Sequence, residues 1–126
     1  MRLILAIAVG GAIGAVARHL FAAQAMRIAG AGFPWGILLV NIVGSLAMGV
    51  LAELFAQKWG ASLEMRAFLT VGILGGFTTF SAFSLDTALL IERGQVMAAA
   101  LYVAASAAGA IAALFVGLYL VRKAFA

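Results

Sequence analysis

Several hydroxyl and amide side chains of this sequence lie within long apolar segments, where they offer hydrogen bonds without a formal charge. Asn41, Ser81, Ser84, Tyr102 and Ser106 are flanked mainly by aliphatic, aromatic and small residues. Such groups can donate hydrogen bonds to an anion without holding it by a full opposite charge, which suits an ion that must bind and then leave. The side chains are therefore candidates for lining an anion pathway.

Two phenylalanines accompany these donors. Phe80 and Phe83 are three residues apart and share a helix face, and Ser84 lies on the same face, four residues after Phe80. Because the edge of a phenyl ring is electropositive, two such edges could face an anion. Ordinary packing is the alternative. Tyr102 and Ser106 are also four apart and share a face of another helix.

Other kinds of site have little support. The sequence has no cysteine, and its four acidic residues, Glu53, Glu64, Asp86 and Glu92, fall near segment ends or in loops. It contains no paired carboxylates, no Ser/His/Asp set and no histidine cluster, so we predict that the protein is not an enzyme. A small four-span proton-coupled transporter remains an alternative, although the first span lacks the acid expected of one. A non-transporting membrane subunit is another.

The composition indicates a membrane protein. Of 126 residues, 67% are hydrophobic and only 10% are charged, whereas a soluble domain carries about 25% charged residues. The net charge of +4 comes from scattered residues, with only Arg122 and Lys123 adjacent, so no nucleic-acid partner is predicted.

Hydropathy predicts an all-α membrane protein, one domain of residues 1–126 with four spans. The spans are placed at about 3–25, 33–55, 66–91 and 95–122. The first could be read as a signal peptide with a cleavage site at Ala15–Ala17, but the spacing of Gly10 and Gly14 favours helix packing.

The third span contains a candidate break. Gly75 and Gly76, followed by Thr78 and Thr79, weaken helix propensity in mid-span. A break would free backbone groups that must be buried in protein or line a cavity. A continuous helix, with threonine hydroxyls bonded to the preceding turn, is the alternative.

The charges encode orientation weakly. One side would carry Arg2, Lys58, Arg66, Arg122 and Lys123. The other would carry Arg27 and Arg93, with Arg18 added if it extends from late in span one to that side. This small excess is compatible with noise or with insertion in both orientations. Since four helices enclose little volume, we expect a homodimer.

Three segments resemble the Fluc (CrcB) fluoride channels: residues 10–18 (GGAIGAVAR), 40–45 (VNIVGS) and 75–81 (GGFTTFS). The last is the most specific. The resemblance extends to length, span number and motif order. It implies a passive fluoride-selective channel of the cell inner (plasma) membrane, an antiparallel, dual-topology homodimer with two pores that exports cytoplasmic fluoride.

The resemblance also implies residue roles. The fluoride pore would comprise Asn41, Phe80 and Phe83, with a polar track of Ser81, Ser84, Tyr102 and Ser106. A structural sodium ion on the two-fold axis would be held by the backbone carbonyls of Gly75 and Thr78. Arg18 would lie in the pore vestibule, where it could concentrate anions; an arginine extending to the membrane surface is the alternative. Ile37 and Ala110 depart from the family, which often has hydroxyls there.

Overall fold

The computed structural model describes residues 1–126, and its regular structure is entirely helical. Helix α1 spans Arg2–Ala29, α2 spans Trp35–Gln57 and α6 spans Val96–Ala124. Between α2 and α6, the third membrane segment covers Leu63–Glu92. All four segments are long and apolar enough to cross a bilayer, the number that hydropathy predicts.

The third segment is assembled from several pieces. Helix α3 (Leu63–Ala67) continues into a wider π-helical stretch, Phe68–Leu74, and then into one short turn, α4 (Gly75–Phe77). After an interruption at residues 78 and 79, α5 runs from Phe80 to Glu92. The helix is therefore broken where the Gly-Gly and Thr-Thr pairs predict, and the continuous-helix alternative is wrong.

Glycines allow the helices to approach closely at two contacts. Where α1 crosses the third segment, a Cβ on Gly14 would overlap the Ile73 carbonyl. Where α2 crosses α6, a Cβ on Gly49 would overlap the Leu114 carbonyl, and one on Gly117 would lie 2.5 Å from the Leu46 carbonyl oxygen. Such contacts join helices in lipid, where dispersion replaces hydrophobic burial as the main attraction.

An ion pair joins the ends of α2 and α6. Arg122 Nη2 lies 3.1 Å from Glu53 Oε2, and Gln57 donates to Glu53 Oε1 at 2.5 Å. Glu53 is otherwise buried. Most other surfaces of the single chain are apolar, and Ile4, Leu20 and many other large side chains are exposed. Such surfaces are expected on a protein that is surrounded by lipid.

Candidate functional site

The interruption of the third segment consists of two extended residues. Thr78 has φ −81° and ψ 157°, and Thr79 has φ −154° and ψ 127°. Each threonine hydroxyl bonds locally: Thr78 donates to the Leu74 carbonyl at 2.9 Å, and Thr79 accepts from the Ala82 N–H at 3.1 Å. Thr79 is thus the N-cap of α5, in a position for which threonine is well suited.

Asn41 of α2 bonds both backbone groups of Thr79. Its Nδ2 donates to the Thr79 carbonyl oxygen at 3.0 Å, and its Oδ1 accepts from the Thr79 N–H at 2.9 Å. This amide–backbone pair replaces the helical bonds that the interruption removes. A side-chain amide has two N–H donors, so one Nδ2–H of Asn41 remains for another acceptor.

The interruption also frees a carbonyl that was predicted to bind sodium. Because the Thr79 N–H donates to Asn41, the carbonyl of Gly75 lacks its helical i+4 partner. Gly75 is exposed on the single chain. The carbonyl of Thr78, the second predicted ligand, accepts only a long bond of 3.4 Å from Arg18 Nη1. A carbonyl oxygen has two lone pairs, so these oxygens fit the preference of a hard cation.

A cavity of about 300 Å³ opens beside the interruption. We call it the Phe80 cavity. Its polar and aromatic lining residues are Asn41, Ser45, Thr78, Thr79, Phe80, Phe83 and Ser106, and the rest of its wall is Ala107, Ala110 and Ile111. None of these residues carries a formal charge, so the cavity offers hydrogen-bond donors and phenyl rings in an apolar setting.

The two predicted pore phenylalanines are neighbours in this cavity. Their ring centroids are 5.4 Å apart at an interplanar angle of 49°. Phe83 also packs against Tyr102, at 5.2 Å, whereas Phe80 is 79% exposed on the single chain. The Phe80 side of the cavity is therefore open on the single chain.

The hydroxyls of the predicted polar track have different surroundings. Tyr102 is fully buried and donates to Asp86 Oδ2 at 3.0 Å. Ser106 is buried and its Oγ has no hydrogen-bond partner. Ser84 donates to the Phe80 carbonyl at 2.9 Å, and Ser81 Oγ lies 3.3 Å from Thr79 Oγ1.

The structure thus brings together four predicted pore residues, Asn41, Phe80, Phe83 and Ser106, and the predicted sodium ligand Thr78. Tyr102 adjoins them through Phe83, while Ser81 and Ser84 lie on the exposed side of α5, outside the cavity lining.

Arg18 belongs to a different cavity, of about 420 Å³, between α1 and the start of α2. Its lining includes His19, Ile37 and Asp86. We call it the Arg18 cavity. Of the two departures from the resembled pattern, Ile37 removes a hydroxyl from this cavity, and Ala110 removes one from the Phe80 cavity.

Sequence reasoning missed two residues. Thr79 caps α5 and presents its backbone to Asn41, although a threonine directly before an apolar helix is an N-cap signal. Asp86 accepts the hydrogen bond of Tyr102, and no spacing rule links them because they lie on different helices.

Comparisons with known proteins agree with this architecture. A family model described as "CrcB-like protein, Camphor Resistance (CrcB)" matches residues 5–118. A protein of Rhodospirillum centenum named "Fluoride-specific ion channel FluC" is 56% identical over 126 residues, the whole of both chains. Proteins with the same name from Agrobacterium fabrum and Chelativorans sp. are 56% and 58% identical, over 94% and 93% of this chain and 95% and 94% of their own.

Proposed function

We propose that this chain, which belongs to the CrcB-like family, is a fluoride-selective ion channel and a multi-pass protein of the inner membrane. The observation that carries this function is the similarity, over the whole chain, to relatives named fluoride-specific ion channels. The uncharged Phe80 cavity, lined by donors and phenyl rings, supports it chemically.

The pore we propose runs along the Phe80 cavity. The electropositive edges of Phe80 and Phe83 would replace part of the hydration shell of the ion, and the remaining Nδ2–H of Asn41 would donate to it. The hydroxyls of Ser81, Ser84, Tyr102 and Ser106 would form the polar track beside the rings. Ser84 and Tyr102 would donate to the ion by turning their O–H groups away from the Phe80 carbonyl and Asp86. Because no lining side chain carries a formal charge, the ion would bind without being trapped.

The functional unit we propose is an antiparallel, dual-topology homodimer with two pores. Phe80 is largely exposed and the interruption is only partly buried on the single chain. Irregular backbone is not tolerated against lipid, so a second copy is the natural cover. The nearly balanced distribution of Lys and Arg between the two sides is compatible with insertion both ways.

A structural sodium ion would be held on the two-fold axis by the Gly75 and Thr78 carbonyls of both copies. Its positive charge would balance the partial negative charge of the carbonyl oxygens that have no helical hydrogen-bond partner at the interruption. The Arg18 guanidinium, 3.4 Å from the Thr78 oxygen, adds positive charge to the same region. From the Arg18 cavity it would also raise the local concentration of anions.

Transport would be passive. When the cytoplasm is electrically negative, the free energy of a fluoride ion falls by about 2.3 kcal/mol per 100 mV of membrane potential as it leaves the cell. The first span has no acidic residue, so the proton-coupled alternative is not favoured.

Fluoride efflux from liposomes containing the purified chain tests this function. A fluoride electrode follows release while valinomycin and potassium clamp the potential, and chloride efflux serves as the control. We expect rapid release of fluoride with chloride retained. If neither ion moves from correctly assembled protein, the channel assignment fails, and equal release of both would contradict fluoride selectivity.

A further inference from the structure

The turn between α2 and α3, residues 58–62, carries positive charge that the chain does not neutralise. Lys58 is exposed in this turn, and Arg66 follows it on α3. The one ion pair of the chain joins Arg122 to Glu53, so Lys58 and Arg66 have no carboxylate partner. Glu64, two residues from Arg66, points to a different side of the helix. The turn is therefore a surface to which an anion is attracted.

The Arg66 guanidinium is held in place by two contacts. Its Nε donates to the Ala61 carbonyl at 3.1 Å, and its Cζ lies over the Phe55 ring, 5.1 Å from the ring centre. An arginine has five N–H donors, and the two Nη groups of Arg66 donate to no group of the chain. A guanidinium oriented in this way presents a free pair of donors that matches the geometry of a phosphate group.

A tryptophan lies beside this guanidinium. The rings of Trp59 and Phe55 have their centroids 5.2 Å apart, so Trp59 and Arg66 contact the same phenyl ring. Trp59 is 40% exposed, and its indole N–H donates to no group of the chain. Tryptophan is typical of the membrane–water interface, where its N–H bonds polar groups while its ring stays in the apolar layer.

The position of the turn identifies the source of the phosphate. Helix α2 ends at Gln57 and the next membrane segment begins at Leu63, so the turn lies at the depth of the lipid head groups. Leu63 and Met65, beside Arg66, are exposed large apolar side chains, against which acyl chains can pack. A lipid therefore satisfies both the basic and the apolar parts of this surface, whereas a free phosphate ion satisfies only the first.

We propose that Lys58, Trp59 and Arg66 bind the head group of an anionic phospholipid. The Nη groups of Arg66 donate to the phosphate, the indole N–H of Trp59 donates to a neighbouring ester oxygen, and Lys58 adds positive charge. None of the three residues lines the Phe80 cavity or the Arg18 cavity, so this site does not depend on the proposed function. A bound lipid stabilises the folded chain, because it joins the end of α2 to the start of the third segment.

Thermal unfolding of the purified chain in uncharged detergent tests this site. Phosphatidylglycerol is added in steps, and the readout is the mole fraction that gives half of the maximal rise in the unfolding midpoint. Arg66→Gln removes the guanidinium. Arg27→Gln is the matched control: it removes the same charge at the other membrane surface, from an exposed residue outside both cavities.

We expect Arg66→Gln to raise the half-maximal mole fraction about tenfold or more, the loss of hydrogen bonds between charged groups. Arg27→Gln should raise it no more than about fivefold, the effect of one charge on general attraction to anionic lipid. Equal values for the two variants would overturn the site, as would an unfolding midpoint of the unsubstituted chain that phosphatidylglycerol does not raise.

Trp59→Phe decides the case if Arg66→Gln does not elute from a sizing column like the unsubstituted chain. Phenylalanine keeps the ring contact with Phe55 but has no N–H, so the half-maximal mole fraction should rise about two- to tenfold. In that case, a value equal to that of the unsubstituted chain would overturn the site.

Two other additions identify the ligand. Phosphatidylcholine has the phosphate but also a choline cation, which Lys58 and Arg66 repel, and inorganic phosphate has no acyl chains. Both should raise the unfolding midpoint much less than phosphatidylglycerol does. An equal rise with phosphatidylcholine would contradict selectivity for anionic lipid, and an equal rise with inorganic phosphate would show that the site binds free phosphate instead of lipid.

Discussion

At the scale of single residues, Asn41 stabilises the interrupted segment and, in the proposed channel, would also contact the permeating ion. Its amide occupies both backbone groups of Thr79, at 2.9 and 3.0 Å, which leaves one N–H without a partner on a residue that lines the Phe80 cavity. A change at this position therefore alters both the backbone of the interruption and the donors available to the ion.

Asn41→Asp should reduce fluoride efflux more than tenfold. A carboxylate keeps the acceptor for the Thr79 N–H but loses the donor to the Thr79 carbonyl, and its negative charge repels the ion. Gln95→Glu makes the same change of amide to carboxyl at an exposed position outside both cavities. Electrode traces from liposomes with equal amounts of each protein make the comparison, and normal efflux through Asn41→Asp would remove Asn41 from the pore.

Replacing either pore phenylalanine by isoleucine should cut fluoride efflux about tenfold or more while the protein still assembles. Isoleucine keeps the apolar bulk but has no electropositive ring edge. Phe115→Ile is the matched control, because Phe115 is 63% exposed on α6 and outside the Phe80 cavity. If Phe80→Ile and Phe83→Ile conduct as well as Phe115→Ile, the rings serve only packing.

At the scale of helices, the closest approaches depend on residues without side chains. Gly49 and Gly117 bring α2 and α6 into backbone contact, and Gly14 does the same for α1 and the third segment. The ion pair of Glu53 with Arg122 closes the end of the α2–α6 contact. Because Arg122 is 59% exposed, solvent screens its side of this pair.

Gly49→Ala should destabilise the protein by about 1–3 kcal/mol, because the added methyl group overlaps the Leu114 carbonyl and pushes α6 away. Gly11→Ala is the control: its Cβ would meet nothing within 4 Å, so the usual preference of a helix for alanine should dominate. Thermal unfolding in detergent, followed by circular dichroism, gives both midpoints. A Gly49→Ala midpoint at or above that of Gly11→Ala would contradict the close contact.

Much of this architecture could be predicted from the sequence, because it depends on local rules. Hydropathy marks four membrane segments, and paired glycines and threonines mark the interruption. The partners across helices could not be predicted. The bonds of Asn41 to Thr79 and of Tyr102 to Asp86 depend on how helices cross. Likewise, nothing in the sequence shows that Ser106 lacks the helical bond that Ser84 makes.

At the scale of the whole molecule, the open side of the Phe80 cavity and the balanced charges both favour assembly from two opposed copies. On a single chain Phe80 is 79% exposed, next to an interruption whose free backbone groups must be buried in protein or line a polar cavity.

If the channel is an antiparallel dimer, a variant that inserts in only one orientation should lose fluoride efflux. Coexpression with a variant that inserts in the opposite orientation should restore it. Gly60→Lys with Ala61→Lys adds charge on the side of the termini, and Ala31→Lys with Gly32→Lys adds it on the other side. Each double variant expressed alone should give little fluoride efflux from cells, and coexpression of the two should restore it. Full activity from either one alone would contradict the antiparallel dimer.

The amide–backbone pair also has a consequence for biosynthesis. Asn41 precedes Thr79 by 38 residues, so α2 is already made when the interrupted segment leaves the ribosome. Asn41 is therefore already present in the nascent chain when the N–H and C=O groups of Thr79, which it will bond, reach the bilayer. The last helix to be made, α6, then supplies Ser106 and closes the wall of the cavity.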